Sequence, residues 1–202
     1  MGKVIIFSAP SGSGKTTIVR HLLERYPQFE FSISATSRAP RGQERDGVDY
    51  YFLSHGEFMQ AVTENRFVEW EEVYKGTCYG TLRSEVERIW AKGHVIVFDV
   101  DVVGGINLKR IFGDDACSVF IMPPSFQELS NRLHGRKTES EEKIMERLDI
   151  ARSEMQLAYD YDFILVNADV DEAVRQLEVI LEAAKAMPKY MKDFIDEVNN
   201  NA

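Results

Sequence analysis

The sequence predicts an α/β fold with a central, mostly parallel sheet flanked by helices. Three observations predict it. Residues 3–8, 95–98, 118–122 and 163–166 are short apolar runs, the pattern of strands buried on both faces. Between them, apolar residues recur every three to four positions, the spacing of helices that lay one face on a sheet. The 202 residues fit one domain with small inserted lobes, enough chain to bury roughly 70% of its unfolded surface.

Each element has its own signal. Residues 3–8 combine β-branched and aromatic side chains and open the sheet. A glycine-rich turn follows, then a helix over about 15–25 with Ile18, Val19, Leu22 and Leu23 on one face. Residues 29–35 read as one further strand, and 36–48 as a polar loop. Short strands are expected at 50–53, 67–73 and 77–79, in a segment that looks inserted. Ser54 and Glu57 form a capping box opening a helix to about 65. A helix over 83–92 is stopped by Gly93. Strand 95–98 ends in Asp99 and Asp101, and strand 118–122 in Pro123-Pro124. Ser125 and Glu128 form a second capping box, with a helix to about 134. Residues 135–142 are charged and turn-like, a long helix runs to about 159, and a last helix covers 171–187. The expected partition is a core of about 1–35, 83–124 and 151–187, a lobe at 36–82 and another at 125–150. Tyr190, Met191, Phe194, Ile195 and Val198 share one face of an extra helix over about 189–198, which docks on its own domain, meets another subunit or frays.

Charge and composition narrow the function classes. The net charge is −9, so no nucleic-acid partner is expected, and any phosphate site must concentrate a few of the 24 Lys and Arg. No apolar run approaches the roughly 18–20 residues that span a bilayer, so no membrane association is expected. The apolar start is too short for a signal peptide. Two cysteines, Cys78 and Cys117, exclude a disulfide scaffold and fit a reducing, cytoplasmic setting.

Ala9-Pro10-Ser11-Gly12-Ser13-Gly14-Lys15-Thr16 follows a strand and opens a helix. It matches G-x-x-x-x-G-K-[ST] except at Ala9, which must enter the turn in an ordinary conformation. Backbone N–H groups of such a turn surround the β- and γ-phosphates of a nucleotide. Ser11, Gly12, Ser13, Gly14, Lys15, Thr16 and Thr17 are therefore the candidate residues for a nucleotide's phosphates. Lys15 supplies mobile positive charge for catalysis, and the Thr16 hydroxyl a ligand for Mg²⁺. Asp99 or Asp101, at a strand end, could hold that Mg²⁺ through water, and Asp101 could equally be a helix cap. The guanine-reading Asn-Lys-x-Asp of switch GTPases is absent.

Six further segments follow in order: 34–41 (SATSRAPR), 47–52 (GVDYYF), 67–70 (FVEW), 79–81 (YGT), 99–101 (DVD) and 132–139 (RLHGRKTE). With the phosphate loop they resemble the guanylate kinases over about residues 3–185. The resemblance implies a P-loop NTPase fold in which ATP and GMP become ADP and GDP with Mg²⁺. It implies a GMP-binding lobe at 36–82 and a lid at 125–150. Arg38 and Arg41 can fork onto a monophosphate, and Tyr50 and Tyr79 offer phenol donors; in the family these positions hold the GMP phosphate. Glu69 is the specificity candidate. An ionised carboxylate accepts from guanine N1–H and the 2-amino group and repels the N1 acceptor of adenine. Ser34 and Thr81 could donate to guanine O6, and Asp101 is a candidate on the GMP side. Arg132, Arg136 and Arg147 correspond to the lid. Arg41, Arg136 and Arg147 join Lys15 as candidate catalytic charges, and Arg132 joins the ATP-binding set. Asn167, in Val-Asn-Ala-Asp, matches a segment beside the adenine of ATP.

Gly104-Gly105 replaces the family's usual Gln-Gly and is expected to alter a helix start, not the chemistry. Two rivals remain open: an interaction domain with this fold but no turnover, and a kinase for a phosphorylated sugar. The intact loop and lid oppose the first; Glu69, Tyr79 and Thr81 together oppose the second. A monomer and a homodimer are both compatible with the sequence.

Overall fold

The computed structural model describes residues 3–74, 76–135 and 140–200. In chain order the strands and α-helices are β1 (Val4–Ser8), α1 (Lys15–Arg25), β2 (Phe29–Phe31), β3 (Ala35–Thr36), β4 (Tyr51–Phe52), α2 (His55–Thr63), β5 (Phe67–Tyr74) and β6 (Thr77–Leu82). Then come α3 (Arg83–Trp90), β7 (Val95–Val100), α4 (Val102–Phe112), β8 (Ala116–Met122), α5 (Phe126–Gly135), α6 (Glu141–Gln156), β9 (Phe163–Val166), α7 (Val170–Lys185) and α8 (Lys192–Asn200). Two compact units result: Glu30–Ile96, and the remainder of the chain.

The larger sheet runs β2-β7-β1-β8-β9. β1 and β8 pair in parallel from Val4–Ala116 to Ser8–Phe120, and β8 and β9 are also parallel. Every side chain of β1 is buried, as its unbroken apolar run predicts. Ile18, Val19 and Leu22 bury the inner face of α1; full burial of one such side chain is worth roughly 1.5–3 kcal/mol. Leu129 and Leu133 of α5 pack with Ile144, Leu148 and Ala151 of α6 in a cluster of their own.

The Glu30–Ile96 unit holds a second sheet in the order β4-β3-β6-β5. Its core is Ala35, Phe58, Ala61, Phe67, Cys78 and Leu82, with the Phe58 and Phe67 rings stacked at 4.4 Å. The Ser54 capping box is present in both directions: Ser54 Oγ accepts from Glu57 N–H at 3.2 Å, and Glu57 accepts from Ser54 N–H at 2.7 Å.

Three expectations change. The single strand read over 29–35 is two, β2 and β3, in different sheets. The chain breaks at 32–34, where Ile33 N–H donates to the Glu85 carboxylate at 3.0 Å. Helix α4, of which the sequence marked only a start near Asp101 and Gly104-Gly105, runs on to Phe112. Two glycines hid its length, each costing about 1 kcal/mol of helix propensity. At Gly105 the glycine is required, because a Cβ would collide with the Ser8 and Tyr161 hydroxyls. Third, the tail docks through Tyr190, whose hydroxyl donates to Ala116 C=O at 2.8 Å, whereas α8 buries no side chain and leaves Phe194, Ile195 and Val198 exposed.

Candidate functional site

The phosphate loop sits between β1 and α1. Gly12 (φ +95°) and Gly14 (φ +87°) take the left-handed conformation that turns the loop back over the helix start. Ala9, which is buried, carries no positive φ. α1 has no side-chain cap and no acidic residue in its first turn, so its N-terminus is left to attract an anion. The cavity there measures about 440 Å³ and is lined by residues 9–17 with Asp99, Asp101 and Glu154. All seven predicted loop residues, Ser11 to Thr17, are thus brought to one cavity.

Lys15 Nζ forms an ion pair with Asp99 and donates to Val100 C=O. The end of β7 therefore parks the lysine at the cavity wall. Asp101 caps α4, accepting from Gly104 N–H at 2.7 Å, and also lines the cavity. It serves as cap and wall at once, in the unit of the phosphate loop. Burial, with Asp101 nearby, pushes the Glu154 carboxyl up, against the pull of Lys15.

Two braces come from later in the chain. Arg147 of α6 donates to Ser11 Oγ at 2.9 Å. Asn167 is buried, and its Nδ2 donates to Ser13 C=O at 2.6 Å. Its main-chain carbonyl accepts from Arg132 at 3.0 Å, and Arg132 also pairs with Glu128 at 2.9 Å. The resemblance implies Asn167 beside a base; its side chain packs against the loop, where a Cβ on Gly14 would strike it. Arg136 lies outside the described residues.

In the other unit, Arg38 is almost fully covered. Nη1 and Nη2 meet Glu44 at 2.6 and 2.8 Å, and Nε donates to the Tyr79 hydroxyl at 3.1 Å. Its guanidinium lies 4.9 Å from the Tyr50 ring centroid, and Tyr50 meets Tyr79 edge-on at 6.0 Å. Glu44 also accepts from Arg41 N–H at 2.7 Å, while the Arg41 side chain is exposed. The bond to Arg38, then that to Arg41 N–H, holds the Glu44 carboxyl down at about 2.

Glu69 stands opposite Thr81 across β5 and β6, and Thr81 Oγ1 donates to it at 2.8 Å. A hydroxyl has one proton, so in this arrangement Thr81 orients the carboxylate; donation to a base oxygen requires it to swing away. Gly80 lets the strands close here, since a Cβ would come within 2.6 Å of Glu69 C=O. Ser34 C=O accepts from Tyr51 N–H at 2.9 Å, which ties the segment of Ser34 to that of Tyr50.

Sequence reasoning missed three members. Glu44 lay in the arginine loop as its nearest acid and was readable as a partner. Gly80 was quoted as part of a motif without its packing reason. Glu85 shows only as an i, i+3 partner of Arg88 on a helix face.

Fold and loop together define a P-loop enzyme class that handles nucleoside polyphosphates. A family model described as "Guanylate kinase" matches residues 1–184. The guanylate kinase of Bacteroides thetaiotaomicron is 51% identical over 182 residues, covering 90% of this chain and 89% of the relative. That of Porphyromonas gingivalis is 51% identical over 178 residues, covering 88% and 95%. The crystal structure of guanylate kinase from Anaplasma phagocytophilum superposes with a TM-score of 0.72 at 30% identity, covering 94% of this chain and 89% of that one. The chain belongs to the guanylate kinase family.

Proposed function

We propose that the protein transfers the γ-phosphoryl group of ATP to GMP. The bond from γ-phosphorus to its bridging oxygen breaks, and a bond to a GMP phosphate oxygen forms. ADP and GDP are the products. The observation that carries the choice of acceptor is Glu69, an acceptor-only group held in place by Thr81. It complements the adjacent donors of guanine, and its pairing partners are missing in adenine.

The phosphate-loop unit takes ATP. Lys15 leaves Asp99 for the polyphosphate, and Arg147, already at the loop through Ser11, adds charge to the transferring group. Arg132 and Asn167 support the loop from below. We assign Arg136 to the same charge cluster from the sequence. The Thr16 hydroxyl, with the Asp99 carboxylate through water, is a hard oxygen set that suits Mg²⁺. Mg²⁺ held there would supply positive charge toward the phosphates of the nucleotide.

In the second unit Ser34 and Glu69 read guanine, with Thr81 aiming the Glu69 carboxylate, and Arg38, Arg41, Tyr50 and Tyr79 hold the phosphate. From the sequence we also assign Asp101, the N-cap of α4, to GMP. Residues 36–82 act as the GMP lobe and 125–150 as a lid that excludes water from a reaction otherwise open to futile hydrolysis. A cytoplasmic setting agrees with two buried free cysteines, and among the described residues no helix is long and apolar enough to cross a membrane. The test is Lys15→Ala: ADP formation with GMP should fall by at least about a hundredfold. Wild-type turnover would remove the loop from the mechanism.

A further inference from the structure

Glu85, in the first turn of α3, is 2% exposed. Oε1 accepts from Ile33 N–H at 3.0 Å and from Arg88 Nη2 at 2.8 Å. Oε2 accepts from the Tyr51 hydroxyl and from Arg88 Nε, both at 2.9 Å. A carboxylate has about four acceptor directions, and four donors meet this one. Arg88 is itself anchored on Glu30. Burial pushes the Glu85 carboxyl up, but the bonds from Arg88, Ile33 and Tyr51 override it and keep the group ionised.

The three partners belong to segments with a common task. Ile33 precedes Ser34, and Tyr51 follows Tyr50. α3 continues directly from β6, which carries Tyr79 and Thr81. The strands here are short: β3 and β4 are two residues each, paired at Ala35–Tyr51 and Thr36–Phe52 with Tyr51 N–H on Ser34 C=O, so a side-chain tie adds to a brief backbone one. The Ile33 N–H lies in the break between β2 and β3, and its partner is the carboxylate.

We propose that Glu85 is a positioning residue for the acceptor nucleotide: it fixes the spacing between the segment of Ser34 and the segment of Tyr50, and so sets the affinity for GMP without touching it. This rests on reading Glu30–Ile96 as the unit that takes GMP. A purely structural Glu85 would cost stability and leave substrate constants alone. A positioning Glu85 acts on one substrate only.

The test compares wild type, Glu85→Gln, Tyr51→Phe and the double variant. GMP is varied at saturating ATP, ADP binding is measured by calorimetry, and melting is followed in parallel. KM for GMP should rise at least about tenfold in Glu85→Gln and about threefold in Tyr51→Phe, with kcat within about threefold and ADP affinity within about twofold. The double variant should be no worse than Glu85→Gln, because both changes act through one contact. A lower melting temperature with unchanged KM for GMP overturns the proposal, as does equal loss of ADP binding. Should Glu85→Gln fail to fold, Tyr51→Phe decides by the same criterion. A wild type that does not phosphorylate GMP overturns the parent reading as well. A wild-type GMP kinase whose KM ignores both variants overturns this one alone.

Discussion

Arg38 and Glu44 close a two-point ion pair, with contacts of 2.6 and 2.8 Å. That fork is the geometry with which a guanidinium grips a phosphate. The Tyr79 hydroxyl and the Tyr50 ring hold the same guanidinium from other sides. The arginine is therefore pre-set, with a carboxylate standing where the account puts two phosphate oxygens.

Replacing Arg38 by Lys tests the fork, since an ammonium keeps the charge and loses the paired geometry. KM for GMP should rise at least about tenfold, or about 1.4 kcal/mol, with ADP affinity unchanged. Steady-state kinetics and calorimetry check it. Matching losses for both nucleotides would mean that Arg38 only supports the fold.

Glu69→Gln places a donor where guanine also donates. We expect kcat/KM for GMP to drop at least about a hundredfold, while ADP binding holds. Thr81→Val removes the hydroxyl that aims Glu69 and should give a smaller loss in the same direction. If Thr81→Val proves the worse of the two, the hydroxyl acts on the substrate and not through Glu69.

Glycine-to-alanine changes should take opposite signs at two helical positions. At Gly105 overpacking against Ser8 and Tyr161 outweighs the gain in helix propensity, a cost of roughly 1–3 kcal/mol. At Gly56 nothing lies within 4 Å of the new methyl, so a gain of about 0.5–1 kcal/mol is expected. Melting curves, at about 2–4 °C per kcal/mol, will separate the two.

Acid should strip stability through Glu30. Burial pushes its carboxyl up, yet bonds to Lys92, Arg88 and His94 bring it down to about 2 from an ordinary 4.5. A group lowered on folding stabilises above its unfolded value and loses that contribution as pH falls toward the folded one. Denaturant midpoints should therefore decline between about pH 5 and 2, and Glu30→Gln should flatten that decline. An unchanged slope would exclude this carboxylate as the source.

Legibility in the sequence followed the range of each interaction. β1, α1 and the Ser54 capping box are local: apolar run, periodicity and cap lie within a few residues, and all three appear where expected. The phosphate loop is local too. The break between β2 and β3 was not legible, because its cause, Glu85, lies 52 residues from Ile33. The length of α4 was hidden because Gly105 obeys a tertiary contact with Ser8 and Tyr161, while its local signal argues against continuing the helix. The burial of Asn167 beneath Ser13 spans 154 residues and was invisible for the same reason.

The central claim is the acceptor. The most direct measurement is ADP formation from Mg·ATP with GMP, AMP, CMP, UMP and ribose phosphates offered in parallel to the wild-type protein. Turnover is expected with GMP and little above background with the others. Equal use of AMP, or a sugar phosphate preferred over GMP, would contradict the reading of Glu69 and with it the proposed function.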